Sequence, residues 1–459
     1  MADVDRKWWV LCAVGIGTLM SALDASVVNT MLPIISQGMG ASVATIEWVV
    51  TVYLLVVSAL LLGVGRAGDM YGHRMIYLAG FAVFVVSSAF CGAAPSAGAL
   101  IGFRAGQGLG AAMLFASGPA ILTASFPSAE RGRALGLQAM MTYIGLTIGP
   151  ALGGWLTTEF GWRSIFYINV PVGAIAVALG MRVIPTAGPA ATAARMDIRG
   201  GVLFAGGLTA LLLALNQGHD WGWGSSGVLA LLVAAVVLSV AFIMVEMRAA
   251  SPMLDLRLFQ NRVFAAATVS AVLNYVCAYC IVFVLPFYLI RGRDFSPASA
   301  GLVMASQSVV MVVAAPVSGA LSDRIGSRLL STSGLVLMGA GLLLLAGLGP
   351  ASALRSIIVA LGVVGLGAGL FTSPNNSALM GSAPRERQGV AAAIMATSRN
   401  VGMVLGVGLA GAVFTSVMAR LGAAPGALFA AARASFVAGS IVASVGAAVS
   451  LIRGAPDGS

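Results

Sequence analysis

Fourteen apolar runs, each long enough to cross about 30 Å of hydrocarbon, follow one another between residues 8 and 453 with little polar sequence between them. The first covers 8–33, the fifth 135–158 and the thirteenth 388–418. A backbone in lipid must satisfy its own polar groups, and runs of this length do so as helices. Charge usage agrees: 9% of the residues are charged, against about a quarter in water-soluble domains. The chain therefore reads as an all-α integral membrane protein with 14 transmembrane helices. The first run is too long for a signal peptide, lacks a small-residue cleavage site and contains an aspartate, so it is expected to stay as a helix.

The formal charge of +10 invites a nucleic-acid reading. With the N-terminus inside, seventeen Lys and Arg fall in cytoplasmic segments and six in outer loops, with Arg104 and Arg399 left inside helices. The positive-inside rule accounts for that bias. The basic balance is topology, both termini are expected in the cytoplasm, and no nucleic-acid partner is expected. Cys12, Cys91, Cys277 and Cys280 all fall within apolar runs. Cys277-x-x-Cys280 has no βαβ context and reads as inert thiols. His73 and His219 are the only histidines. With no metal-ligand cluster, phosphate-cradling loop or catalytic triad, an enzyme is not expected, nor is a metal or bound cofactor.

Two short loops repeat one pattern. Gly65-x3-Asp69-x2-Gly72-x-Arg74 follows the second run, and Gly319-x3-Asp323-Arg324-x-Gly326-x-Arg328 follows the tenth. Glu130-Arg131 before the fifth run recurs as Glu386-Arg387 before the thirteenth. Such repetition indicates two homologous halves. If runs 1–6 match runs 9–14, the seventh and eighth are an insert. The expected divisions are 1–186, a two-helix insert at 187–250, and 251–459.

Along the fifth run, Gly136, Gly145, Gly149-Pro150 and Gly153-Gly154 stand at fixed intervals with no charged residue among them. Gly145, Gly149 and Gly153 share one helix face that another backbone can approach closely, and Pro150 lets the helix bend. The spacing resembles the antiporter motif of major facilitator superfamily exporters. With the duplicated loops, the 6+2+6 arrangement resembles the fourteen-helix drug:proton antiporter branch of that superfamily, over essentially the whole chain. The resemblance implies two pseudo-symmetric six-helix bundles rocking about a midplane cavity. The glycine stripe is then expected to form a dry, bendable seam against the other half. The Asp69 loop, with Gly65, Gly72 and Arg74, would lock the halves, echoed by Asp323 and Arg324; Met70 and His73, where basic residues are usual, would weaken that lock.

Charges inside the bilayer are costly, about 2.5–3.5 kcal/mol each on insertion scales, and mark function. Asp24 lies roughly 14 Å and Arg104 roughly 10 Å from the outer ends of their runs at 1.5 Å per residue, so the two are expected to pair. A carboxyl in low dielectric holds a proton more readily than in water, and a neighbouring guanidinium releases it. Moving one past the other is a minimal device for proton exchange. The Asp24 segment and Arg104-x2-Gln107-Gly108-x-Gly110 resemble the family's first- and fourth-helix motifs, the Arg being implicated there in proton transfer. Glu47, placed near the outer surface, is either a solvated rim carboxylate or an added cation-recruiting, proton-handling site. Arg399 lies near mid-membrane, and the apolar runs of the second half hold no acid. Backbone carbonyls, a substrate anion or the other half would satisfy it.

Asn29, Met20, Met31, Trp48, Tyr53, Gln107, Asn274, Tyr275 and Arg399 are candidates for a cavity lining, Met and aromatic groups being able to repack around varied ligands. The expected function is proton-coupled efflux of amphipathic, cationic drugs by a monomer in the cell membrane, with the proton gradient as energy source. The alternative is export of an endogenous lipid or natural product. Duplicated halves and paired charges oppose a passive channel or sensor.

Overall fold

In the computed structural model, which describes residues 3–127, 130–185, 198–249, 256–384, 388–422, 424 and 426–452, the apolar runs are helices. In chain order they are α1 (Asp3–Met39), α2 (Val43–Tyr71), α3 (His73–Ala93), α4 (Ala97–Ser125), α5 (Arg131–Phe160), the short α6 (Ser164–Tyr167) and α7 (Asn169–Val183). Next come α8 (Ile198–Trp221) and α9 (Ser226–Arg248), then α10 (Arg262–Pro286), α11 (Pro297–Ile325) and α12 (Ser327–Ala346). The last are α13 (Leu354–Gly381), α14 (Gln388–Leu421) and α15 (Ala427–Leu451). Among the described residues 13 spans are long and apolar enough to cross a membrane, α6 and α7 together making one. The 30-residue α5, which carries the glycine stripe, is a further long helix.

Local chemistry sets the helix ends. Ser42, Ser96 and Ser296 each accept a backbone N–H three residues on, and Asn261 caps α10, satisfying donors that have no partner within the helix. The duplicated loops turn on one glycine apiece. Gly72 (φ 96°) closes α2 and opens α3, and Gly326 (φ 83°) does the same between α11 and α12. An L side chain is strained at both.

The helices collect into two compact units, Met1–Gly206 with Ala249–Met253, and Gly207–Arg248 with Leu254–Ser459. Most of α8 and all of α9 thus cluster with the later helices, and Gly408 of α14 faces Leu212 and Leu215 of α8. In the first unit α1 packs on α5, and both α2 and α3 pack on α4; in the second α10 packs on α14, and both α11 and α12 pack on α13. Matching glycines allow matching approaches. A Cβ on Gly110 would strike the backbones of Gly80 and Phe84, and one on Gly367 those of Gly334 and Met338. Gly108 rests on the Tyr53 carbonyl as Gly365 rests on that of Gln307.

The glycine stripe has a different partner from the one its pattern suggested. Gly145 faces Leu19 and Ala22, Gly149 faces Leu23 and Ser26, and Gly153 faces Val27. All lie on α1, in the same unit. The expected seam against the other half is therefore corrected to a seam within one bundle, where small Ala22 and Ser26 meet the glycines and Ser26 Oγ donates to the Leu146 carbonyl at 3.1 Å. Close backbone approach of this kind is held by dispersion and weak C–H···O contacts rather than by apolar transfer. Pro150 is buried within α5, and Gly154 accepts through its carbonyl from Thr158.

Candidate functional site

The turn of α1 that the glycines press upon carries Asp24, and five helices converge on its carboxylate or on the groups that hold it. From α4, Arg104 Nη1 donates to Asp24 Oδ2 at 2.6 Å and to Gln107 Oε1 at 2.7 Å. Its Nε donates to the Val49 carbonyl of α2 at 3.0 Å, and its guanidinium lies 4.2 Å from the centre of the Tyr53 ring. Gln107 Nε2 donates to Asp24 Oδ1 at 2.8 Å, and the Cys91 thiol of α3 points at Gln107 Oε1. From α7, Asn169 Nδ2 donates to Asp24 Oδ1 at 2.9 Å and to Ser88 Oγ of α3 at 3.0 Å. Ser88 Oγ in turn donates to the Phe166 carbonyl at 2.9 Å. Asp24, Arg104, Gln107 and Ser88 have no measurable exposure.

This arrangement is a carboxylate with three N–H donors, one of them cationic. Placing both charges in low dielectric is costly, and the cost is offset only because each is hydrogen-bonded as well as paired. Asp24 and Arg104 were matched by depth in the sequence; Asn169 and Ser88 were not anticipated. An asparagine at the first residue of a helix and a serine in an apolar run give no periodic signal. Only the fold shows that Asn169 points at the acid with Ser88 behind it.

Glu47 departs from the solvated-rim reading, being 1% exposed. The Ser42 cap starts α2 at Val43, which places Glu47 in the second turn, on a buried position of the helix. Asn29, Met20, Met31 and Tyr53 are buried in the first unit, and Trp48 is half-buried. Arg74 Nη2 donates to the Met181 carbonyl at 2.7 Å. It ties the α2–α3 turn to the end of α7 in its own unit and suits the negative end of that helix. Gly65 is half-buried and Arg324 exposed. The side chains of Asp69 and Asp323, and the whole of Glu386-Arg387, lie outside the described residues. Glu130 is described, and pairs with Lys7.

The second unit fills the corresponding positions differently. The carbonyls of Val272 and Val276 meet Gly402 and Gly406 as those of Leu19 and Leu23 meet Gly145 and Gly149. That correspondence makes Cys277 the counterpart of Asp24 in its own unit. Measured from Gly365 as Arg104 is from Gly108, the Arg104 position is Leu361, and that of Gln107 is Val364. Cys277 is a buried free thiol donating to the Gly439 carbonyl of α15. The charge network thus exists in one unit and its apolar replica in the other. Arg399 is half-buried on α14, one turn before Gly402, and Gly402 and Gly406 rest on Tyr275 and Tyr279. Asn274 and Asn400 are buried. The structure also adds an acid the apolar-run reading passed over, Glu246 near the end of α9, 3% exposed. Among the described residues no group of His, Cys, Asp and Glu could hold a metal ion.

Two units that repeat one helix pairing, in a chain of membrane-spanning helices, with an ion network buried inside one of them, define a multi-pass membrane transporter. Solved structures share the fold: a POT family transporter in complex with 5-aminolevulinic acid superposes with TM-score 0.71 at 14% identity, covering 96% of this chain and 94% of that one. A bacterial homolog of the human lysosomal transporter Spinster gives 0.69 at 16% identity, covering 98% and 97%. The chain belongs to the Major Facilitator Superfamily, whose family model matches residues 14–260 and 267–458. Among its relatives, the riboflavin transporter RibZ of Clostridioides difficile is 36% identical over 91% of this chain and 89% of its own length. The multidrug resistance protein Stp of Mycobacterium tuberculosis is 34% identical, covering 88% and 75%. The tetracenomycin C resistance and export protein of Streptomyces glaucescens is 32% identical, covering 90% and 76%.

Proposed function

We propose that the chain exports small amphipathic molecules, cations among them, across the plasma membrane in exchange for protons. The observation that carries this reading is the buried Asp24–Arg104–Gln107 network, confined to one unit. A fully desolvated carboxylate held by a cation is a poor way to stabilise a helix bundle. It is a good way to bind and release one proton, because protonating Asp24 removes the charge that holds Arg104. Arg104 carries the positive charge, Gln107 bridges the pair, and Tyr53 offers its ring to the guanidinium. Glu47, buried near the start of α2, is the second carboxyl available to a proton or to a cationic substrate. Asn29, Met31 and Trp48 in one unit, and Asn274, Tyr275 and Arg399 in the other, are the proposed substrate contacts. The protein works as a monomer by alternating access, powered by the proton gradient and without a cofactor.

Drug efflux is supported by relatives named for resistance to or export of tetracenomycin C, methylenomycin A and puromycin. A second reading, transport of an endogenous heterocyclic metabolite, is favoured by the relative named a riboflavin transporter. The test is growth of an exporter-deficient bacterial host expressing the chain, over a panel of toxic cations, neutral antibiotics and flavins. Proton coupling is then read in inverted vesicles with a responsive compound. Substrate uptake should collapse with a protonophore and with Asp24→Asn; uptake indifferent to both removes the proton from the mechanism.

A further inference from the structure

Gln107 and Asn169 both present an amide NH2 to the same oxygen of Asp24, yet they are held in unlike ways. Gln107 Oε1 accepts from the Arg104 guanidinium, so a fixed positive charge keeps its NH2 toward the acid. Asn169 is oriented by a hydroxyl alone: its NH2 bridges Asp24 Oδ1 and Ser88 Oγ, and the Ser88 proton goes to the Phe166 carbonyl. A hydroxyl is both donor and acceptor, and its hydrogen rotates freely. The Phe166 carbonyl also accepts the Ile168 backbone N–H, so it keeps a partner if Ser88 turns away.

These polarities matter once Asp24 gains a proton. As built, every group on Asp24 is a donor, which suits the carboxylate and leaves a carboxylic O–H on Oδ1 with nothing to accept it. Turning the Gln107 amide would aim its NH2 at a guanidinium. Turning the Asn169 amide puts a carbonyl against the new O–H, and Ser88 then donates to that carbonyl instead of to Phe166. No ion has to move for this exchange.

We propose that Asn169, with Ser88 behind it, is a positioning residue for Asp24: its amide donates to the carboxylate and turns over to accept from the protonated acid. This rests on the proton-exchange reading given above. The other charged and titratable groups around Asp24 do not supply the same reversal. α4 contributes Arg104, α3 contributes Cys91 through Gln107, and α2 contributes Tyr53 on Arg104 with Glu47 nearer its start. On α3, Tyr77 donates to the Ala13 and Val14 carbonyls, away from the acid. On α5 the charged residues are Arg131, Arg133 and Glu159, near its two ends, and on α7 Arg182 in its last turn; α6 has only Tyr167.

The test is the infrared carboxylic C=O band of the purified full-length protein in lipid nanodiscs, followed against pH and assigned to Asp24 by its loss in Asp24→Asn. It needs no substrate. In the acid-minus-neutral difference spectrum that band should be accompanied by a shifted side-chain amide C=O band, because the Asn169 carbonyl gains the new O–H as a donor. Asn169→Leu should abolish the amide band while the Asp24 band persists; Ser88→Ala should weaken it, and supplies the result if Asn169→Leu does not fold. An Asp24 band with no amide band that these variants remove overturns the proposal. An amide band with ethidium uptake in inverted vesicles that ignores Asp24→Asn sinks the proton-exchange reading and leaves the positioning role standing. Uptake that depends on Asp24 with no amide band does the reverse.

Discussion

Arg104 donates to Asp24 across 2.6 Å with both side chains closed to water, and the two residues lie 80 positions apart in the chain. A pair so enclosed holds its energy in mutual dependence. Removing Arg104 alone leaves a buried carboxylate without its cation, which typically costs about 3–5 kcal/mol, whereas replacing both partners by apolar groups is often neutral. Arg104→Leu and Asp24→Leu should each lower the thermal unfolding midpoint in detergent strongly, and the double variant should recover most of the loss. Additive effects would show that the pair is not coupled.

The α1–α5 seam gives a separate prediction. A Cβ at Gly145 would come within 2.8 Å of the Leu19 carbonyl, and one at Gly149 within 2.6 Å of Ser26 Cβ. Gly145→Leu should destabilise by about 1–3 kcal/mol or more as overpacking against a backbone that cannot yield. Gly63→Ala on α2, where a Cβ meets open space, should be neutral or slightly stabilising. Similar melting of the two variants would contradict the close approach.

Gly72 and Gly326 carry the same backbone task in the two units. Their φ values of 96° and 83° penalise any L side chain. Alanine at either should cost about 1–3 kcal/mol, read as a lower midpoint and earlier proteolysis at the α2–α3 or α11–α12 turn. Equal cost at both positions is the expectation, because the turns are copies.

Burial of Glu47 sharpens its role. A carboxylate closed to bulk solvent attracts a cation more strongly than a solvated one, because the surrounding dielectric is lower. Glu47→Gln should raise the KM for cationic substrates several-fold while leaving neutral substrates unchanged, measured by vesicle uptake. Equal effects on both classes would assign Glu47 to packing.

Much of this molecule was legible in the residues themselves. Apolar runs fix where helices cross, because an unpaired backbone in lipid costs too much to permit anything else. The duplicated Gly-x3-Asp-x2-Gly-x-Arg loops revealed two halves, because only glycine suits the positive φ of that turn. Asp24 and Arg104 announced themselves by their cost in an apolar run. Tertiary structure decided what no periodicity records. It turned the Gly145–Gly149–Gly153 face onto α1 rather than onto the other half, because Ala22 and Ser26 supply the matching small surface. It drew Glu47 inward and brought Asn169 and Gln107 from distant helices onto one carboxylate oxygen, with Ser88 behind Asn169. It also left Cys277, Leu361 and Val364 as the apolar copy of that site. Hydropathy senses only the transfer of each residue into lipid, whereas these choices depend on directional hydrogen bonds among side chains far apart in the chain.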